Sequence, residues 1–356
     1  MLRGYYTNLR LLLEEKLVNC HHIGTTFTGK NLNYLANIEH LLLMIVYTSL
    51  MVINYIDDTF QNSDNLDDED FYKISDPEVQ LPDGRIRGRE GLTYTNKQFY
   101  IFEKIPYAAS PVGELRFKAP IPPPSWDGTL DTTSLDIICY QQGSNDDTET
   151  EDCLYINVHT PKLPDDDGTE GLPVMVYIHG GGFIAGSARG QYADRLVNED
   201  VVYAAFNYRL GPFGFMSTQD DVIPGNNGLK DQQLALQWVH ENIHLFGGDP
   251  DKITIFGASA GSTSVAYQLI NQNSRDLFRG AILQSGSFLS PWAFQRNPRE
   301  IAFTTAAFIN DTFQTNTDSQ ALLDFLQSVD AKALKLASEQ YASSVRLCIT
   351  QVFSLI

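Results

Sequence analysis

The sequence predicts an α/β fold, a mostly parallel central sheet flanked by helices, on three observations. One is a short apolar and β-branched run, Ile253-Thr254-Ile255-Phe256, that turns through Gly257-Ala258-Ser259-Ala260-Gly261 into a helix-compatible segment, residues 262–270. Another is a series of core-like strands at 172–178, 201–208, 252–257 and 280–285, with a helical repeat over 228–246 as a crossover. The third is that the strand 172–178 runs straight into His179-Gly180-Gly181-Gly182-Phe183.

The turn at 257–261 spells G-x-S-x-G. Between a strand and a helix this motif reads as a nucleophile elbow: the turn strains the serine, and the flanking glycines remove the Cβ atoms that would collide across it. Ser259 is then pushed out at the top of the sheet, with the positive end of the following helix beneath it. A serine in an ordinary glycine-rich turn is the plain alternative, and the flanks argue against it. In the H-G-G-G run, adjacent glycines leave backbone N–H groups free to point into a cavity, which an oxyanion hole requires.

At 356 residues the chain has room for one large α/β domain or two small ones. A net charge of −19 makes nucleic acid and anionic membrane surfaces poor partners. The four cysteines, Cys20, Cys139, Cys153 and Cys348, include no C-x-x-C pair, which removes the usual zinc and redox templates.

In chain order, residues 1–40 form an unassigned extension. Within it Gly24 to Asn31 approximates a P-loop, but Asn31 stands where the magnesium-binding hydroxyl belongs and no apolar strand precedes Gly24. Residues 41–56 are uncharged and apolar, and are expected to be a signal peptide or signal-anchor; a buried globular helix is the alternative. Residues 57–73 are rich in acidic residues and read as a flexible linker. The folded domain is expected over 74–356 and to open with a hairpin at 79–88, turning at Pro82-Asp83-Gly84. The segments 105–113 and 119–124 are too rich in proline for regular structure.

Cys139 and Cys153 enclose a short polar loop, and a bridge closing it would stabilise by about 3 kcal/mol in the chain-entropy model. A strand, 154–158, follows. The helix over 228–246 carries His240-Glu241-Asn242-Ile243-His244, formally H-E-x-x-H. As a crossover helix its polar face should meet water, and no histidine follows His244 to complete a zinc site. Residues 301–310 and 321–340 read as two amphipathic helices of a lid or cap, and Asn310-Asp311-Thr312 is an N-glycosylation sequon.

Taken together, Glu151–Asn157, His179–Phe183, Asn207–Gly211, Gly247–Pro250, Phe256–Gly261 and Gln284–Gly286 resemble the type-B carboxylesterases, the cholinesterase-like branch of the α/β-hydrolases, from about Asp76 to Tyr341. The insect-type esterases look most similar. The resemblance implies a secreted or membrane-anchored hydrolase of small-molecule carboxylic esters that needs no cofactor. It implies Ser259 as nucleophile, Gly181, Gly182 and Ala260 as oxyanion donors, and Trp292 as a wall of the acyl pocket. It further implies pairing of Cys139 with Cys153, Arg116 with Glu151, and Arg209 with Asp231.

The departures are informative. Ala258 replaces the glutamate usual in cholinesterases and the glutamine usual in juvenile hormone esterases, and the Cys139–Cys153 loop has no tryptophan for cation–π contact with choline. No cysteine between Ser290 and Leu347 offers the family's second disulfide. The triad in this fold runs Ser, acid, His. No histidine follows Ser259, and neither Glu300 nor Glu339 has the glycine-flanked setting of the family's acid. The chain is therefore expected to be a C-terminally truncated esterase, holding nucleophile and oxyanion hole without a general base. A catalytically inactive relative acting in adhesion or protein–protein contact is the alternative.

Overall fold

A computed structural model describes residues 76–164, 170–189 and 193–344. The extension 1–40, the apolar segment 41–56 and the acidic linker 57–73 all lie outside the described residues.

The hairpin forms where the Pro82-Asp83 turn allows it: β1 (Glu78–Leu81) pairs antiparallel with β2 (Gly84–Arg87), Leu81 opposite Gly84. A second antiparallel pair follows, β3 (Arg89–Leu92) and β4 (Gln98–Pro106). The loop expected from Ile105 begins two residues late, because Ile105 and Pro106 close β4 at positions a proline tolerates. Strand β4 was hidden by a register shift between Phe102 and Ile105 that breaks its alternation. Lys104 takes φ 63° there, and its N–H donates to Asn157 Oδ1 at 3.0 Å.

Short strands β5 (Thr129–Asp131), β6 (Ile138–Cys139) and β7 (Glu149–Thr150) precede the central run of β8 (Tyr155–Thr160), β9 (Leu172–Ile178), α1 (Ala193–Asn198) and β10 (Val202–Phe206). Next come α2 (Gly211–Phe215), α3 (Asn227–Asn242), β11 (Gly248–Ala258), α4 (Ala260–Ile270) and β12 (Gly280–Gln284). The main sheet has seven strands in the order β12-β11-β9-β10-β8-β4-β3. The four strands expected to be parallel neighbours are so. Beyond them β8 reverses against β10, and β4 reverses against β8, so β4 again points with the parallel set.

Both faces are covered. Val174, Val176, Val202, Ala204, Ile253 and Ile255 pack with Leu236 and Val239 of α3 and Val265 of α4. Their alternating neighbours Tyr177, Tyr203, Ala205 and Phe256 pack with Val197 of α1. Strands buried on both sides explain why these segments read as continuous apolar runs, each fully buried aliphatic side chain contributing about 1.5–3 kcal/mol.

The C-terminal helices α5 (Pro298–Ala307), α6 (Ser319–Ser328) and α7 (Ala331–Ser344) close over a separate core with Phe117, Phe213 and Met216. The single helix expected over 321–340 is two. Val329 is extended (φ −76°, ψ 140°), and Asp330 starts the next helix, its carboxylate accepting the Ala333 N–H at 3.1 Å. A short acidic side chain that captures a free N–H stops one helix and caps another. Among the described residues, no helix is long and apolar enough to cross a membrane.

Cys139 and Cys153 form a disulfide, with Cα atoms 5.1 Å apart. Arg116 and Glu151 make a bidentate pair (2.6 and 2.5 Å), as do Arg209 and Asp231 (2.8 and 2.6 Å).

Candidate active site

The elbow is built by close backbone packing at the end of β11. Gly257 lies opposite Ile178 of β9, and Ala258 opposite Gln284 of β12. A Cβ on Gly261 would fall 2.0 Å from Ile178 O, and one on Gly257 would fall 2.6 Å from the same oxygen. Only glycine lets the entering strand and the departing helix come this close. Between them Ser259 sits at φ 56°, ψ −119°, a conformation that side chains seldom adopt. Its N–H donates to Gln284 O (2.8 Å) and its carbonyl accepts from Thr263 N–H (3.0 Å). Ser259 is exposed, whereas Ala260 and Gly261 beside it are buried.

The glycine run after β9 lies against this turn. A Cβ on Gly180 would stand 2.5 Å from Ala258 O and 3.4 Å from Ser259 Cβ. Gly181 and Gly182 continue at φ 111° and 64°. The Gly181 carbonyl accepts from the N–H groups of Ile184 (3.1 Å) and Ala185 (3.0 Å). Among the described residues no internal acceptor takes the Gly181 or Gly182 N–H. Ala260 opens α4, so its N–H is among those a helix leaves without an intrahelical acceptor.

Trp292 is half-buried, its ring centroid 6.4 Å from that of Phe183 at the end of the glycine run. Asn310 lies apart, on a turn between α5 and α6, where its Oδ1 accepts from Thr312 N–H (3.1 Å) and Thr312 Oγ1–H (2.9 Å).

Four histidines fall among the described residues, His159, His179, His240 and His244. His159 Nε2 lies 3.6 Å from Glu103 Oε1, and its ring meets Tyr203 edge-on, centroids 5.9 Å apart, on the α1 face. Helix α3 ends at Asn242, and His244 falls in a 3₁₀ turn, Ile243–Phe246, so it does not share a helical turn with His240. His179 is buried beside the glycine run, and burial lowers its pKa to about 4.

Two parts of this site lie within the motifs named from the sequence, but their supporting roles were not read there. The segment after β12 supports the elbow: Ser262 Oγ–H donates to Gly286 O (2.8 Å), and a Cβ on Gly286 would meet Ser259 O at 2.2 Å. His179 and Tyr208 stack beneath the glycine run at 4.3 Å. The signal for His179 was its place at the strand end, just before the glycines.

Residues 75–353 match the sequence model described as the carboxylesterase family. The chain is 42% identical to a juvenile hormone esterase of Tribolium castaneum over 278 residues, 76% of this chain and 47% of that one. It is 42% identical to esterase FE4 of Myzus persicae over 264 residues, 72% of this chain and 46% of the relative. The crystal structure of a juvenile hormone esterase from Manduca sexta, with OTFP covalently attached, superposes with TM-score 0.70 at 36% identity, over 77% of this chain and 52% of that one. The chain thus spans about half the length of the relatives it matches.

Proposed function

The chain belongs to the carboxylesterase family, and from that premise we propose that it provides the nucleophilic half of a serine hydrolase acting on small-molecule carboxylic esters. Ser259 Oγ adds to the ester carbonyl carbon and loses its proton to a base. The carbonyl oxygen takes the negative charge toward the N–H groups of Gly181, Gly182 and Ala260. Collapse expels the alcohol and leaves an acyl-serine for water to cleave. Trp292, set against Phe183, borders the acyl side. The disulfide accords with export, and Asn310 would then be a glycosylation site.

The observation that carries this reading is Ser259 itself, exposed at a strained elbow and backed by Gly180. The covalent adduct in the Manduca sexta relative accords with nucleophilic chemistry in that protein. The base is the missing part: no histidine follows Ser259 in this sequence. His179 is neutral and hydrogen-bonded to its own loop. The alternative is a catalytically silent family member acting by protein contact, and the exposed Ser259 and the glycine run beside it argue against that reading.

Hydrolysis of a p-nitrophenyl ester separates these. This chain should turn over on the order of 10⁶-fold below a serine hydrolase with its full triad. Joining a downstream segment that supplies an acid and a histidine should raise the rate, and Ser259→Ala in the joined protein should remove it. Ordinary esterase turnover by this chain, lost on Ser259→Ala, would show that its own residues supply the base. A joined protein that stays inactive would favour the contact reading.

A further inference from the structure

We propose that His179 is the positioning residue of the glycine run, aiming the Gly181 N–H at the space over Ser259 by holding the carbonyl of the same peptide unit, with Tyr208 fixing His179 in turn. This rests on the oxyanion reading above.

The peptide group is planar and trans, so its C=O and N–H point in opposite directions. Whatever anchors the Gly180 carbonyl therefore sets the direction of the Gly181 N–H. That anchor is a side chain: His179 Nδ1 lies 2.9 Å from Gly180 O. A carbonyl oxygen can only accept, so Nδ1 carries the proton and Nε2 does not. The next unit is held by backbone alone, the Gly181 carbonyl accepting from Ile184 and Ala185 N–H. The first unit thus depends on the imidazole, whereas the second does not.

The ring is held on every side. It is 2% exposed and stacks on Tyr208 at 4.3 Å with 17° between planes. The Tyr208 hydroxyl donates to His179 O at 2.9 Å, so one tyrosine fixes both ring and main chain. Gly186, at φ 116°, makes room: a Cβ there would fall 2.4 Å from both His179 Nδ1 and Gly180 O. Among the described residues, buried Nε2 has no hydrogen-bond partner. A proton there would be a buried donor with nowhere to go, which selects the Nδ1–H tautomer and keeps the ring neutral. Asparagine is the conservative replacement, because its side-chain NH₂ can stand in for Nδ1–H.

The test uses the full 356-residue chain, labelled with ¹⁵N, at pH 7. Long-range ¹H–¹⁵N spectra should show His179 as the Nδ1–H tautomer. The Gly181 amide should have an order parameter near ~0.85 in the wild type and in H179N, falling below ~0.6 in H179L. A charged or Nε2–H ring, or a Gly181 amide equally rigid in a folded H179L, overturns the proposal. A second arm reads the site chemically in the protein joined to a downstream segment that supplies the base, by mass spectrometry of Ser259 labelling with a fluorophosphonate. H179L should label about 10–100-fold more slowly, somewhat less than the loss of a whole oxyanion donor, with H179N restoring most of the rate. Labelling that survives Ser259→Ala would sink the nucleophile reading while leaving the tautomer and order-parameter results to decide the role of His179.

Discussion

The elbow and the C-terminal helices are held by opposite means. Around Ser259 the contacts are backbone against backbone, and the glycines 180, 257, 261 and 286 each stand where a Cβ would meet a main-chain oxygen at 2.6 Å or less. Around α5–α7, beside the apolar core shared with Phe117, Phe213 and Met216, charged side chains tie the helices to the rest of the fold. Arg116 binds Glu151 and caps two helix-end carbonyls, Leu326 O and Val329 O, each at 2.6 Å. Lys335, buried in α7, pairs with Glu149 (2.6 Å) inside the disulfide loop, and Glu339 accepts the Gly143 N–H (2.9 Å). Backbone packing tolerates no substitution, because nothing in it can rotate away. A side-chain tie can be weakened by degrees, and it releases only the element it holds.

The comparison breaks most visibly at Gly261. Replacing it with alanine puts a methyl 2.0 Å from Ile178 O, and the expected cost exceeds about 4 kcal/mol, read as a collapse of the denaturation midpoint or as failure to fold. A loss below about 1 kcal/mol would mean the elbow relaxes easily, and the contrast between the regions would fall.

Glu151→Gln tests the other side. It leaves the Arg116 guanidinium buried without its carboxylate, at an expected cost of about 3–5 kcal/mol. The signature is regional: hydrogen exchange should speed up first over α6 and α7 while β9 and β11 stay protected. Uniform loss of protection would show that the two regions unfold as one.

Ser259→Gly should act with the opposite sign. Glycine accepts φ 56°, ψ −119° without a Cβ penalty, so unfolding free energy should rise by about 1 kcal/mol while any reaction at this position is lost. A destabilised glycine variant would mean the serine is not strained.

The smallest effect concerns acid. Hydrogen bonds from Ser319 and Thr218 lead in holding the Asp220 carboxyl below its usual range, and Arg299 adds to them. A carboxylate lowered on folding contributes stability that is present above its unfolded pKa and lost as pH falls through the folded one. Asp220 is exposed, so the contribution is modest. Asp220→Asn should lower stability modestly at neutral pH and converge on the wild type as pH falls through the folded pKa, which melting curves across pH would show.

Much of the sheet and the elbow was readable from residue order because their causes are local. Strands buried on both faces must be apolar throughout, and a strand-to-helix turn this tight needs glycine two residues before and two residues after its exposed residue. The pairing of Arg116 with Glu151 and of Arg209 with Asp231 was legible only through family resemblance. Strand β4 was not legible, because its bulge at Phe102–Ile105 is stabilised by Asn157, a residue 53 positions away from Lys104. The break between α6 and α7 had a local cause in Asp330, which competes with an otherwise continuous helical pattern.

What the sequence by itself determined is the exposure of Ser259 at the elbow: which residue is presented, and which neighbours are small enough to present it. The tertiary structure alone decided how the glycine run faces that residue. The direction of the Gly181 N–H depends on a carbonyl held by His179, and His179 is held by Tyr208, 29 positions further along. Peptide-plane orientation in a glycine run has no side chain to encode it, so it is set by whatever packs against the backbone once the chain has folded.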